Sequence, residues 1–547
     1  MKKDNIKWIF DKTKGNRFLL ALLSVLVIIS AFCALMIAYV LKLFVDIATG
    51  DSDYTIGRVV IMAVATVVMA GLIGVISSVL SAKIEASTEK KVKTLVLDKF
   101  FHGKLDQVEK FHSGEVLTKL TEDIGDVSSL FPNLATKLLG NASVAIFAII
   151  SLFLLNVKIA VAILIAIPVL IAIVSLFNFP IAKTDKKRKE AEESNRILMQ
   201  EYIEKVKTIK VFRVQDRFLG LFGKNFNTLA GEKIKFGAWE GFASFCNSLI
   251  GYAMVLITLG FGSFLVMKNE TTLGNLIAIV QLLNYIINPF SQVSQQISEI
   301  AKASVSVDRI KEIINVDSDV CVASDDNNDD FDELVVDDIS YAYGDREVVE
   351  EMTATFERNH VYCVKGDNGI GKSTLLKLIA GLYDPAEGKV YFKDKNGEEL
   401  PATSNPRISL LSADETLFSG LIRDNITLFA PEANADLLHK LENETNIAAV
   451  LAGVDNGYET EVKEGGKSLS SGQAQQIELC RALYYDARVI LLDEPTSNLD
   501  RESVDLFKKM LGSLKKDRIV IIVSHDDSIT DACDSIYTMQ EGKLAAA

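Results

Sequence analysis

Six apolar stretches, each close to the length that crosses a lipid bilayer, constrain this 547-residue chain more than any other feature. A crossing takes about 20 mainly apolar residues in a helix, because a helix satisfies its own backbone in hydrocarbon. The stretches run from about Phe18 to Leu41, Val59 to Leu80, Leu138 to Leu155, Ile159 to Phe179, Phe245 to Met267 and Leu273 to Phe290. Only Asn156-Val157-Lys158 separates the third from the fourth, which predicts a tight hairpin. The basic start, Met1 to Arg17, leads into an apolar run too long for a signal h-region and without an obvious small-residue cleavage site. It therefore predicts a retained helix.

Lys and Arg accumulate on the cytoplasmic side of a membrane, so loop charge predicts orientation. Lys2, Lys3, Lys7, Lys12, Lys14 and Arg17 precede the first stretch, a lysine-rich segment from Lys83 to Lys104 follows the second, and Lys183, Lys186, Lys187, Arg188 and Lys189 follow the fourth. The opposite loops carry only isolated cations, Arg58, Lys158 and Lys268. Both termini are expected in the cytoplasm. The segments after the second and fourth stretches are long, charged and nearly free of proline, so their helices are expected to continue past the headgroups. Each has an interruption, Phe111-His112-Ser113-Gly114-Glu115 and Arg213-Val214-Gln215-Asp216-Arg217. On the last stretch, Gln281, Asn284, Asn288, Gln292 and Gln295 recur at steps of three and four and share one helical face. Such a face either lines a polar path or hydrogen-bonds to other helices, with simple water exposure also open to the last two.

Beyond Asp317 the composition becomes that of a soluble protein. The net charge of −14 belongs to no single surface, and the run Asp325 to Glu333 accounts for much of it. Nucleic-acid binding is disfavoured. The six cysteines are scattered with no C-x-x-C pair, so neither a disulfide framework nor a zinc site is indicated.

Within this half, Gly366-Asp367-Asn368-Gly369-Ile370-Gly371-Lys372-Ser373 fits the phosphate-cradling pattern G-x-x-x-x-G-K-[ST]. An apolar, strand-like run, His360 to Val364, precedes it, and Thr374 to Ile379 reads as a helix. An ordinary glycine turn would not require these flanks. The glycines let backbone N–H groups face an anion, and the helix N-terminus adds its dipole. Lys372 supplies a charge for the β- and γ-phosphates, and Ser373 an oxygen for Mg²⁺. The predicted ligand is a nucleoside triphosphate, with Thr374 counted among the residues that bind it.

Six spans with two long internal hairpins, followed by a nucleotide-binding domain, resemble the ATP-binding-cassette exporters of the six-helix half-transporter type. The resemblance implies an all-α six-helix transmembrane domain with long cytoplasmic helix extensions (1–312), an acidic linker (313–333), and an α/β P-loop ATPase domain with an α-helical subdomain (334–547). The two interruptions would be coupling helices that dock on the nucleotide domains, the alternative being plain helix bends. Tyr343 matches the aromatic that stacks on adenine, the alternative being a core tyrosine. After the apolar run Arg488 to Leu492, Asp493 would hold Mg²⁺ through water and Glu494 would polarise the attacking water. Ser497 to Asp500 resembles the loop that communicates across the dimer, and His525 the histidine that meets the γ-phosphate.

Leu469-Ser470-Ser471-Gly472-Gln473 is similar to the family signature, which most often has glycine where Ser471 stands. Serine is small enough to keep the backbone close to a phosphate. Ala474 to Leu483 reads as a helix whose dipole would face the nucleotide on another subunit's loop. A larger departure is Ala413, where the family usually has a glutamine that reaches Mg²⁺ and links the site to the coupling helices. A methyl group cannot coordinate a metal. Either water or a neighbour such as Ser412 or Asp414 replaces it, or hydrolysis is loosely coupled to the membrane half; slowed but not abolished turnover is expected.

One glycine loop and one signature cannot complete the family's composite site, so the resemblance implies a dimer binding two ATP with Mg²⁺. Glu494 and His525 favour a homodimer, while Ala413 keeps open a heterodimer with a second cassette protein. An ATP-gated channel or sensor that does not pump is the reading from another class. No peptidase segment precedes the first stretch, so leader cleavage is not expected. A mostly apolar path with amide groups suits an amphiphilic substrate: a drug, a lipid or a small peptide.

Overall fold

The computed structural model describes the chain apart from residues 1–2, 319–330, 345, 402–407, 413–416, 446, 464–465, 467, 498–500 and 547. Most of the acidic run, Ala413 with Asp414, and Asn498 to Asp500 therefore lie outside the described residues. The chain divides into two compact units, Met1–Leu97 with Ser113–Ile314, and Asp98–His112 with Asn315–Ala547.

The first unit is helical. All six apolar stretches fall in helices: Arg17–Thr49, Ile56–Phe101, the run Ser113–Leu155, Val157–Glu204, Gln215–Met267 and Leu273–Ile314. Among the described residues, four of these are long and apolar enough to cross a membrane, and Val157–Ala166 and Leu273–Pro289 are shorter apolar portions of the others. Asn156 makes the expected hairpin by leaving helical geometry and accepting a hydrogen bond from the Ile159 amide at 3.1 Å, which caps the next helix. On the polar face of the last helix, Gln292 accepts a hydrogen bond from Asn141 of another helix at 2.9 Å, and Gln295 donates to Glu299 at 3.2 Å, while Asn284 and Asn288 are exposed.

Both interruptions differ in place from the sequence expectation. The first leaves the helix at Phe101, makes a short helix at Leu105–Val108, and resumes at Ser113, so Gly114 is helical. Gly103 is the residue that matters there. A Cβ on it would lie 2.7 Å from Val316 Cγ1 and 2.8 Å from the Lys99 carbonyl oxygen. In the second, a short helix Val206–Val211 ends at Arg213, which takes φ +53°, and Gln215 already opens the next helix.

The strands of the second unit are β1 (Glu333–Tyr343), β2 (Arg346–Glu357), β3 (His360–Lys365), β4 (Glu387–Lys393), β5 (Glu399–Pro401), β6 (Ile408–Leu411), β7 (Gly420–Leu421), β8 (Glu461–Val462), β9 (Val489–Asp493), β10 (Ile519–Val523), β11 (Ser535–Gln540) and β12 (Lys543–Ala546). They form an antiparallel sheet in the order β2-β1-β4-β5 and a larger sheet in the order β12-β11-β3-β10-β9-β6. Among the described strands of the larger sheet only β12 runs antiparallel to its neighbour.

A parallel sheet is covered on both faces, and the sequence shows it as unbroken apolar runs. Every residue of β10 is fully buried. Alternate residues go to opposite faces: Ile490, Leu492, Val520 and Ile522 pack into one core cluster, and Val489, Leu491, Ile519, Ile521 and Val523 into another. The first cluster also takes the helices Ile422–Thr427, Ala435–Glu444, Ile447–Ala452 and Ser471–Tyr484, the helical subdomain.

Candidate nucleotide site

Strand register brings the site together. Val523 of β10 pairs with Val364 of β3 on one side and with Asp493 of β9 on the other. The chain therefore leaves three neighbouring strands at one level, into the glycine loop, into Ser524-His525 and into Asp493-Glu494. This is the crevice beyond the carboxyl ends of a parallel sheet where such folds place ligands.

The loop turns sharply at Gly371, with φ +115°. A Cβ there would sit 2.5 Å from Val348 Cγ1 and 2.9 Å from the Val348 carbonyl oxygen, so only glycine fits. Gly371 caps the helix Lys372–Ile379 without a side-chain hydrogen bond. Its first-turn amides thus keep their donor capacity for an anion.

Lys372 is 7% exposed. Its Nζ donates to the carbonyl oxygens of Gly366 at 2.8 Å and Asp367 at 2.9 Å, and lies 3.0 Å from His525 Nε2, which accepts in the tautomer protonated on Nδ1. Burial lowers the pKa of Lys372, opposed by the charges of Glu494, Asp493 and Asp367. His525 Nε2 is also 3.4 Å from Glu494 Oε1. Glu494 takes a left-handed backbone, φ +50°, held where its amide donates to the Val523 carbonyl at 2.9 Å. Such a conformation costs a non-glycine residue about 1–3 kcal/mol and concentrates at functional sites.

A cavity of about 470 Å³ is lined by Asn368, Gly369, Gly371, Lys372, Ser373 and Thr374 from the loop and helix, by Asp493 and Glu494, and by Tyr343, Arg346 and Val348 from the antiparallel sheet. Tyr343 is half exposed and its hydroxyl is 3.4 Å from Thr374 Oγ1. Gly366 and Asp367 serve through their carbonyls on Lys372, and Ile370 packs against the core. Arg346 escaped sequence reasoning. It lies opposite Tyr343 across the β1–β2 pairing and donates to the Gly369 carbonyl at 3.4 Å. The signal available was the short hairpin itself, which puts the residue three after Tyr343 back beside it.

Ser470 to Gln473 are not among the residues lining this cavity. They open a helix that begins at Ser471, three residues earlier than the sequence suggested, because Ser470 and Gln473 form a capping box. Ser470 Oγ accepts from the Gln473 amide at 3.3 Å, and Gln473 Oε1 from the Ser470 amide at 2.9 Å. Among the described residues no group of three or more His, Cys, Asp or Glu could hold a metal ion alone. The pair Ser373 and Asp493 still suits Mg²⁺, which keeps several waters and takes few protein ligands beside substrate phosphates.

A phosphate-binding loop at the head of a parallel sheet, joined to a helical unit with membrane-length apolar helices, defines a membrane-bound nucleotide-hydrolysing protein. The family model described as the ABC transporter transmembrane region matches residues 20–290, and the one described as ABC transporter matches 349–497. Together they cover most of the chain, which belongs to the ABC transporter family as a half-transporter of the exporter type, a transport ATPase. It is similar to a multidrug resistance ABC transporter ATP-binding and permease protein of Lactococcus lactis subsp. cremoris, 24% identical over 506 residues, 90% of this chain and 84% of the relative. Its fold is similar to that of a bacterial Atm1-family ABC exporter solved with ATP bound, with a TM-score of 0.75 at 19% identity, covering 97% of this chain and 94% of that one.

Proposed function

We propose that two copies of this chain export an amphiphilic substrate, a drug, lipid or small peptide, across the cytoplasmic membrane by alternating access, powered by ATP hydrolysis at two shared sites. The observation that carries this reading is the convergence of Lys372, Asp493 and Glu494, with His525 in contact with both Lys372 and Glu494, on one cavity that the same chain's Ser470 to Gln473 do not line. Those four residues suit a second copy's phosphates, and the single loop and single signature support a head-to-tail pair. Glu494 and His525 favour identical partners. The division into a membrane domain (1–312), linker (313–333) and ATPase domain (334–547) belongs to the same proposal, apart from Asp98–His112, which pack in the ATPase unit; the cytoplasmic placement of both termini and the ATPase domain rests on the basic loops.

In this reading the loop amides from Gly366 to Thr374 and the Lys372 ammonium bind the phosphates, and Tyr343 stacks on adenine. Ser373 and Asp493 hold Mg²⁺, which when bound supplies positive charge to the phosphate oxygens. Glu494 orients the attacking water and takes up its proton. His525, set between Lys372 and Glu494, meets the γ-phosphate.

The test is transport by purified protein in vesicles, screened against drug, lipid and peptide panels. ATP-dependent movement against a gradient is expected. Movement only down a gradient would make the protein a channel, and a monomer inactive until a second cassette protein is added would remove the homodimer.

A further inference from the structure

Residues Asp98–His112 belong to the ATPase unit, and their contacts there are specific. Leu105 and Tyr341 both pack against the core cluster that holds Tyr383. Lys104 Nζ lies 2.7 Å from Asp384 Oδ2, and the Gln107 side chain both donates to and accepts from Asp317. Glu109 makes the contact of most consequence. Its Oε1 accepts from Lys377 Nζ at 2.9 Å and its Oε2 accepts a short hydrogen bond from the Tyr383 hydroxyl. Lys377 also donates to the Tyr383 hydroxyl oxygen at 3.2 Å, with its ammonium 5.0 Å from the ring centroid. Burial alone would raise the Glu109 carboxyl, but the bonds from Tyr383 and Lys377 outweigh it and hold the group below its ordinary value.

Tyr383 is 3% exposed. It stacks on Tyr341 at 5.2 Å with the planes 9° apart. Both rings meet Tyr343 edge-on, Tyr383 at 6.0 Å and 83°, Tyr341 at 5.2 Å and 87°. Edge-to-face contacts are directional, so two of them fix the plane of the third ring. Tyr343 lines the cavity.

We propose that Glu109 is a positioning residue for the nucleotide base: by fixing Tyr383 it sets the plane of Tyr343, and so makes the stretch Leu105–Val108 and the base-binding face one assembly. This rests on the reading of Tyr343 as the adenine contact. Tyr383 has one O–H, spent on Glu109; swinging its ring about Cα–Cβ breaks that bond and the stack on Tyr341 together. By thermodynamic reciprocity, whatever displaces Leu105–Val108 lowers affinity for the base, and a bound base restrains Leu105–Val108. The path begins at the base and needs no ligand from position 413.

The experiment separates base from phosphates. Full-length protein in lipid nanodiscs is assayed for the KM of MgATP and for the Ki of inorganic tripolyphosphate, which has the phosphates and no base. Glu109→Gln and Tyr383→Phe are each expected to raise KM roughly threefold to tenfold, to leave the Ki unchanged, and to be no worse combined than apart. Tyr343→Ala should show the same split more strongly. If Glu109→Gln and Tyr383→Phe raise KM and Ki alike, the tie only holds the unit together and the inference is overturned. It is equally overturned if neither moves KM while Tyr343→Ala does, a result that leaves the adenine reading intact. An unchanged KM-to-Ki ratio in Tyr343→Ala removes the adenine reading, and the inference with it. Tyr383→Phe keeps the packed ring and carries the test should Glu109→Gln fail to fold.

Discussion

The ammonium of Lys372 stands 3.0 Å from Nε2 of His525, although 153 residues separate them in the chain. The contact follows from β3 and β10 being neighbours in register, and it ties the phosphate loop to the side chain set beside Glu494. Disturbing one of these groups therefore re-sets the other two.

Glu494→Gln keeps the size of the side chain and removes its basicity. ATP hydrolysis should fall by roughly 10²- to 10⁴-fold with nucleotide binding retained. Single-turnover phosphate release, measured beside ATP affinity, checks this; a rate near wild type would assign the base elsewhere.

Gly371→Ala forces a Cβ to 2.5 Å from Val348 Cγ1 at a φ of +115°. Loss of ATP binding is expected, together with destabilisation of about 1–3 kcal/mol. Nucleotide titration and thermal melting report the two effects separately, and normal affinity would show that the loop tolerates a different turn.

Ser470→Ala removes the capping box and should cost about 1 kcal/mol of stability, which Ser470→Asn restores because asparagine caps equally well. Turnover is expected to stay low in the asparagine variant. Recovery of turnover with stability would confine Ser470 to capping its own helix.

Asp534 accepts from the Val361 amide at 2.8 Å and from Lys515 Nζ at 2.7 Å. Burial alone would raise its carboxyl, but these bonds outweigh it and hold the pKa below the ordinary value. A depressed carboxylate adds stability above its unfolded pKa and loses it as pH falls through the folded one. Asp534→Asn should therefore cost about 1–2 kcal/mol near neutral pH, and the gap to wild type should close at acid pH. Urea titrations at several pH values test this, and a gap independent of pH would contradict it.

Ala413→Gln should raise basal or substrate-stimulated ATPase rate by restoring the ligand that a methyl group cannot supply. An unchanged rate in both conditions would mean that this position does not limit turnover.

The groups that the structure brings to the ends of β3, β9 and β10 are legible in the chain wherever a residue type and its flanking strand are both local. Gly366 to Ser373 after an apolar run, Asp493-Glu494 closing β9 and Ser524-His525 after β10 are of this kind. Arg346 was hidden because a single arginine carries no pattern until the hairpin places it against Tyr343. The contact of Glu109 with Tyr383 was hidden because 274 residues separate the partners and no local period encodes it. The start of the signature helix was misjudged by three residues because the serine and glycine at 471 and 472 look like loop, while the Ser470–Gln473 box makes them the first turn.

The burial of β3, β9 and β10 on both faces carries a consequence for altering this protein. A residue inserted into any of them would advance its loop by about 3.3 Å and exchange the occupants of two filled cores, so the distances among Lys372, Glu494 and His525 cannot be adjusted from within the sheet. Retuning has to come from outside these strands, at positions such as Tyr343, Ser471 and Glu109 that stand partly in solvent.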